Sequence, residues 1–271
     1  MAVERILVIG KTSPQWSKKR KDLLICTAGI TENFEWRRLR PIPISDLDRI
    51  HNFSWIDVNV TQHRVRDPRP ESRKVLKNTP NYLREVRNIE EPSVRKWYIE
   101  ECVQPSIEKM RQERKTLGII KPIMEGFEIT EPKEQSKNEL DDAQTSLTLW
   151  APNYYVERKV AEEIWKKEYA QKEFVVKFKF SCGEECKCRH PHEISVLDIE
   201  LFMLYQHLYR KHQDRNLVFE KMHQKIEKVH KENDIYLGMG THRSYPFRIY
   251  MIGSVIRFKK GLPTTALGQN S

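Results

Sequence analysis

Apolar and polar positions along this 271-residue chain follow two rhythms. Toward the N-terminus, residues 6–10, 23–30 and 55–60 are β-rich apolar runs bounded by turn residues, and they predict strands. Residues 34–40 alternate. On a strand, Phe34, Trp36, Arg38 and Arg40 share one face while Glu35, Arg37 and Leu39 share the other. Beyond Pro68 and Pro70 the spacing lengthens. Ser93 reads as the N-cap of a helix reaching about Val103, and Pro105 opens a second helix with Ile107, Met110 and Leu117 as its apolar positions. Residues 119–129 read as a further strand.

Residues 132–146 hold almost no apolar side chains and predict a linker or exposed loop. A helix is expected over 155–171, where Val156, Val160 and Ile164 recur every four residues. Residues 174–180 alternate as a strand with Phe174, Val176, Phe178 and Phe180 inward and Lys177 and Lys179 outward. Two helical stripes follow, one through Ile194, Leu197, Leu201, Leu204 and Leu208, the other through Phe219, Met222, Ile226 and Val229. A hairpin of 235–240 and 247–258 closes the pattern. The expected class is α+β, with small antiparallel sheets or OB-like barrels at both ends and helical insertions. The expected units are a basic β-rich domain with a helical extension (1–131), the linker (132–146) and an α+β domain (147–271). No internal repeat and no phosphate-cradling glycine loop is evident in the sequence.

Composition narrows the function classes. Aromatic residues at 10% argue for a packed core, and no apolar run approaches the roughly 20 residues that span a bilayer. Five cysteines, an odd number, and no cleavage signature point to a reducing cytoplasm. The net charge of +10 is unevenly spread: residues 1–75 carry +6 and residues 174–271 another +6, around a middle that is neutral to acidic. An anionic partner would therefore meet the two ends.

The densest chemistry is Cys182-x3-Cys186-x-Cys188-x-His190-x-His192, between an expected strand and an expected helix. Five soft or borderline donors exceed the four that tetrahedral zinc needs. Cys182, Cys186, Cys188 and His192 are the first-choice ligands and His190 the spare. Such a site, filled by three thiolates and one imidazole, is closed and structural. Asp198, Glu200 and His242 are the catalytic candidates of an alternative reading as a metal-dependent nucleic-acid-processing enzyme. On a helix starting near Glu193, however, Asp198 and Glu200 lie about 200° apart.

The elements Lys11-Thr12-x-Pro14, Cys26-Thr27-Ala28-Gly29-Ile30, Trp36-x-Arg38-Leu39-x-Pro41-Ile42-Pro43 and Asp67-Pro68-Arg69-Pro70-Glu71-Ser72 resemble an uncharacterised prokaryotic protein family. The Cys/His cluster, Asp198-x-Glu200 and Gly238-x-Gly240 extend that resemblance over most of the chain. The Cys-x-Ala-Gly-Ile and Trp-x-Arg elements are also similar to a dual OB-fold domain proposed to bind nucleic acid, over about the first 45 residues. That domain has no cysteine-rich knuckle, so the resemblance implies a C-terminal half built differently. It also suggests a defence or mobile-element context.

Residues and resemblance together lead to a nucleic-acid-binding protein, with DNA or RNA as partner and zinc as a structural cofactor. Lys18, Lys19, Arg20, Lys21, Arg37, Arg38 and Arg40 would neutralise phosphates, extended by Arg64, Arg66, Arg69 and Arg73, while Trp16 and Trp36 stack on bases. The competing expectation for residues 34–40 is that the rings are core and the arginines lie along a sheet edge. A third reading is a scaffold or effector subunit that docks a protein partner through residues 209–230.

Overall fold

A computed structural model describes residues 2–17, 22–62, 67–131, 174–183, 190–242 and 245–266. The expected linker and the 155–171 helix lie outside these residues. The first sheet is built from β1 (Ala2–Lys11), β2 (Gln15–Ser17), β3 (Asp22–Ile30), β4 (Trp36–Pro43), β5 (Ser54–Gln62), β6 (Ser72–Val75) and β7 (Leu83–Asn88). Five of its strands close a ring in the order β1-β3-β4-β6-β5-β1, with β4 and β6 parallel and every other pair antiparallel. This is an OB-like barrel. Strand β2 extends β3, and β7 adds to β5. A 3-10 helix, Ile44–Arg49, stands between the third and fourth ring strands.

Strand β1 carries a continuous apolar run because it is covered on both sides. Ile6 and Val8 point into the barrel with Ile25, Leu39, Ile42 and Val58. Leu7 and Ile9 point outward into a second cluster that includes Tyr236, Ile256 and Phe258 from the other half of the chain. The two halves therefore share a core.

Helices α1 (Pro92–Glu100) and α2 (Ile107–Gln112) connect the halves. The N-cap of α1 is Glu91, whose carboxylate accepts from the Ser93 N–H, and Pro92 sits in the first turn; Ser93 is already helical. In α2, Ser106 caps the Lys109 N–H, and the helix ends before Leu117, which begins a strand.

The second sheet comprises β8 (Leu117–Ile120), β9 (Ile123–Thr130), β10 (Val175–Ser181), β11 (His192–Val196), β12 (Asn233–Thr241) and β13 (Tyr250–Lys259). Its order is β8-β12-β13-β11-β10-β9, with β11 parallel to β13 and the other pairs antiparallel. The two edge strands, β8 and β9, are consecutive in the chain, separated only by Lys121 and Pro122. Taken as one broken strand, β8 and β9 give the same cyclic order as the first sheet, with the parallel pair in the same place. Helices α3 (Ile199–His212) and α4 (Arg215–Glu232) fill the position taken by the 3-10 helix in the first half.

Beyond the Ser93 cap and the helical place of Leu117, two further expectations are corrected. The boundary near residue 131 fails because β8 and β9, residues 117–130, pair with β12 and β10 of the second sheet. The helix through Ile194 starts later, since residues 192–196 are a strand and Asp198 is the N-cap of α3. The apolar spacing of three and four there joins a strand residue to a helix stripe.

Candidate metal centre and nucleic-acid interface

The seam between the sheets is narrow because small residues meet there. A Cβ added to Gly10 or to Gly238 would run into Ser254 on β13. Thr12 forms an antiparallel bridge with Asp198, and the Ser13 N–H donates to the Leu197 carbonyl at 2.5 Å. Cys26, Ala28, Trp36 and Arg38 of the first barrel face Leu117, Gly238, Met239 and Ser254 across this seam.

Two arginines tie the seam from one side. Arg38, 5% exposed, pairs through Nη2 with Glu71 at 3.1 Å and donates to the Thr116 carbonyl at 2.9 Å. Thr116 Oγ1 donates to the same Glu71 oxygen. Arg69, 3% exposed, holds Asp67 with Nε and Nη2 at 2.7 and 2.6 Å and donates from Nη1 to the Thr241 carbonyl at 2.6 Å. The Thr241 N–H in turn donates to the Thr116 carbonyl, so both guanidinium groups end on one pair of neighbouring backbones. Burial alone would raise Asp67, but the Arg69 guanidinium and the Ser72 hydroxyl outweigh it and hold its carboxyl at about 2.

This geometry corrects part of the expected phosphate patch. Arg38 and Arg69 are inside the protein and committed to carboxylates and carbonyls. Arg73 is also buried, bonded to Glu4 at 2.8 Å, and Arg37 is shared between Glu4 and Glu35. Trp36 packs with the shared core, and Phe34, at φ 57°, sits in a turn edge-on to Trp97. The alternation that places Trp36 and Arg38 on one face is real, but the second sheet covers that face. Among the described residues, Arg40 alone of these candidates has no carboxylate partner; it lies in register with exposed Lys74 on β6. Lys18, Lys19, Arg20, Lys21, Arg64 and Arg66 lie outside the described residues, as does the Trp16 side chain.

Two members of the Cys/His cluster, Cys182 and His192, meet a residue from elsewhere in the chain. Cys182 follows β10 and His192 opens β11, so the strand pair brings them to the same end. Glu108 on α2 joins them, its Oε1 3.5 Å from His192 Nε2. One ligand atom from each of Glu108, Cys182 and His192 lies within 4.8 Å of the others, the one such group of three among the described residues. These three could hold a metal ion. A thiolate, an imidazole and a carboxylate form a mixed set that suits a tetrahedral divalent ion. Burial lowers His192 against the opposing pull of Glu108, which favours the neutral ring that ligates. His190 is exposed, while Cys186 and Cys188 lie outside the described residues. Glu108 carries no sequence signal, being far from the cluster in the chain.

Of the catalytic candidates, Asp198 and Glu200 line one cavity beside His230 and Arg257, and His242 is not part of that lining. Asp198 is 5% exposed, and both its oxygens are taken by backbone: Oδ1 accepts from Glu200 and Leu201 N–H at 2.6 and 3.2 Å, Oδ2 from Val255 N–H at 2.7 Å. Burial and the Glu200 carboxylate push it up to about 7 against these three donors. Glu200 pairs with Arg257 at 2.8 Å and accepts from Asn52. His242 follows β12, its ring 6.0 Å from that of Tyr245. Asp198 thus acts as a cap and a tie across strands.

Fold and site together define an α+β protein of two closely joined β units with a three-donor group where α2 meets the end of β10 and β11. The chain belongs to the family described as a domain of unknown function, DUF8757, whose model matches residues 102–270. A second such domain, DUF8758, matches residues 2–101. The division falls just past α1, ahead of the first strand of the second sheet. No curated protein and no solved structure matches the chain. Among the described residues, no helix is long and apolar enough to cross a membrane.

Proposed function

We propose that this chain binds nucleic acid through its N-terminal barrel and that a zinc ion at Glu108, Cys182 and His192 braces the second, also OB-like, unit. The observation that carries the reading is the position of the basic residues in the strand order. Residues 18–21, a run of Lys, Lys, Arg and Lys, join β2 to β3 and so belong to the connection between the first two ring strands. Arg64 and Arg66 belong to the connection between the fourth and fifth, β5 to β6. In OB-folds these two connections, with the face of strands two and three, hold oligonucleotides. Here that face is under the second sheet, so the phosphate contacts fall to Lys18, Lys19, Arg20, Lys21, Arg64, Arg66 and the half-buried Arg40 of β4. Cys186 or Cys188 would complete the zinc coordination, and the ion would hold α2 against the end of β10 and β11.

Fluorescence anisotropy with labelled single-stranded DNA and RNA tests this. Affinity should fall steeply as salt rises, and exchange of all four cations at 18–21 for Gln should remove most of it and flatten the salt slope. Affinity that ignores salt, or survives that exchange unchanged, overturns the reading. Purified protein should carry zinc that Cys182→Ser and Glu108→Gln each deplete; full retention in both variants would reject the site.

A further inference from the structure

The second connection of the same type, between β12 and β13, is unused by this reading. Tyr245 is 51% exposed and Ile249 47%, two of the five large apolar side chains that stand exposed among the described residues. A single exposed ring is ordinary; what marks this place is the set of groups gathered around it. Beside it the His242 ring is exposed, and Arg114 lies over the face of Phe247 with 4.6 Å from guanidinium carbon to ring centre. Arg111, Arg114 and Arg248 are exposed, and among the described residues none has a carboxylate partner. The nearest acid of the adjoining turn, Glu113, is held by Lys109 and Lys115 at 3.1 and 2.6 Å. The turn is fastened to the connection, because Tyr250 Oη donates to the Lys115 carbonyl at 2.7 Å.

Rings next to unpaired guanidinium groups are what unstacked bases and their phosphates require. The location adds to this. Thr241, one residue ahead of His242, holds Arg69, which lies in the β5–β6 connection of the first barrel. The fourth-to-fifth connections of the two units therefore meet across a single hydrogen bond.

We propose that Tyr245, His242, Arg248 and the Arg114–Phe247 pair form a stacking and phosphate-binding platform for single-stranded nucleic acid, continuous with the first barrel's basic connection. The proposal rests on the nucleic-acid reading above. Bases stack on Tyr245 and on the outer face of the Arg114 guanidinium, while Arg111 and Arg248 take phosphates.

The test is anisotropy of labelled oligo(dT) on the full chain, with thermal melts to confirm that each surface variant folds. Tyr245→Ala should weaken binding about tenfold and Tyr245→Phe should restore it. Arg114→Ala with Arg248→Ala should weaken binding and lower the salt slope by about one for each phosphate no longer neutralised. If these variants bind like wild type while the exchange at 18–21 abolishes binding, the platform is wrong and the first-barrel reading stands. Blunt duplex bound as tightly as oligo(dT), or displacement of oligo(dT) by polyglutamate as readily as by unlabelled oligo(dT), also overturns the platform. Wild-type protein that binds no oligonucleotide at low salt overturns both.

Discussion

Replacing Arg69 by Met separates a seam residue from a phosphate contact. The substitution keeps most of the buried stem but leaves Asp67, 6% exposed, with only the Ser72 hydroxyl and the residue-69 N–H, and strips the Thr241 carbonyl of its guanidinium donor. Breaking a buried pair from one side costs about 3–5 kcal/mol, and the missing carbonyl donor adds about 1 kcal/mol. For a chain of this size the sum corresponds to a fall in Tm of roughly 10–20 °C. Urea unfolding followed by circular dichroism measures it. Asp67→Asn added to Arg69→Met should recover part of the loss, because no uncompensated charge is left inside. Arg40→Ala, half-buried but without a carboxylate partner, should cost no more than about 1 kcal/mol. A loss under about 1 kcal/mol for Arg69→Met, together with weakened oligonucleotide binding, would place that guanidinium on a phosphate and refute the seam.

Asp198→Ala should destabilise the protein by about 2–4 kcal/mol, from a lost N-cap and an unpaired Val255 N–H; wild-type stability with a selective loss of some catalysed turnover would return Asp198 to the catalytic candidates. Acid titration carries a sign from Asp67. Its folded value, about 2 against 3.8, makes it stabilising above pH 4 by about 2 kcal/mol, a contribution lost as pH falls through 2. Asp67→Asn should remove that segment of the stability–pH curve, and a curve unchanged by the substitution would contradict the pairing.

What the sequence alone determined is local. Period-two alternation located β10, apolar runs flanking a turn located the β12–β13 hairpin, and spacing marked Cys182 and His192 as ligand candidates. That a strand rather than a helix follows the cluster and pairs with β10, setting the two side by side, was decided by the tertiary structure. The same alternation put Trp36 and Arg38 on one face of β4, yet it encodes only that a face is shared, not what lies against it. Tertiary structure decided that the second sheet covers that face, which turned Arg38 and Arg69 from surface cations into buried ties. It also decided that Glu108 belongs with the cluster, a meeting of distant segments that no periodicity records. The repeated strand order emerged the same way. Two units can share a permutation of hydrogen-bonded strands without sharing a sequence pattern, because strand order is set by which edges find each other once the chain has closed.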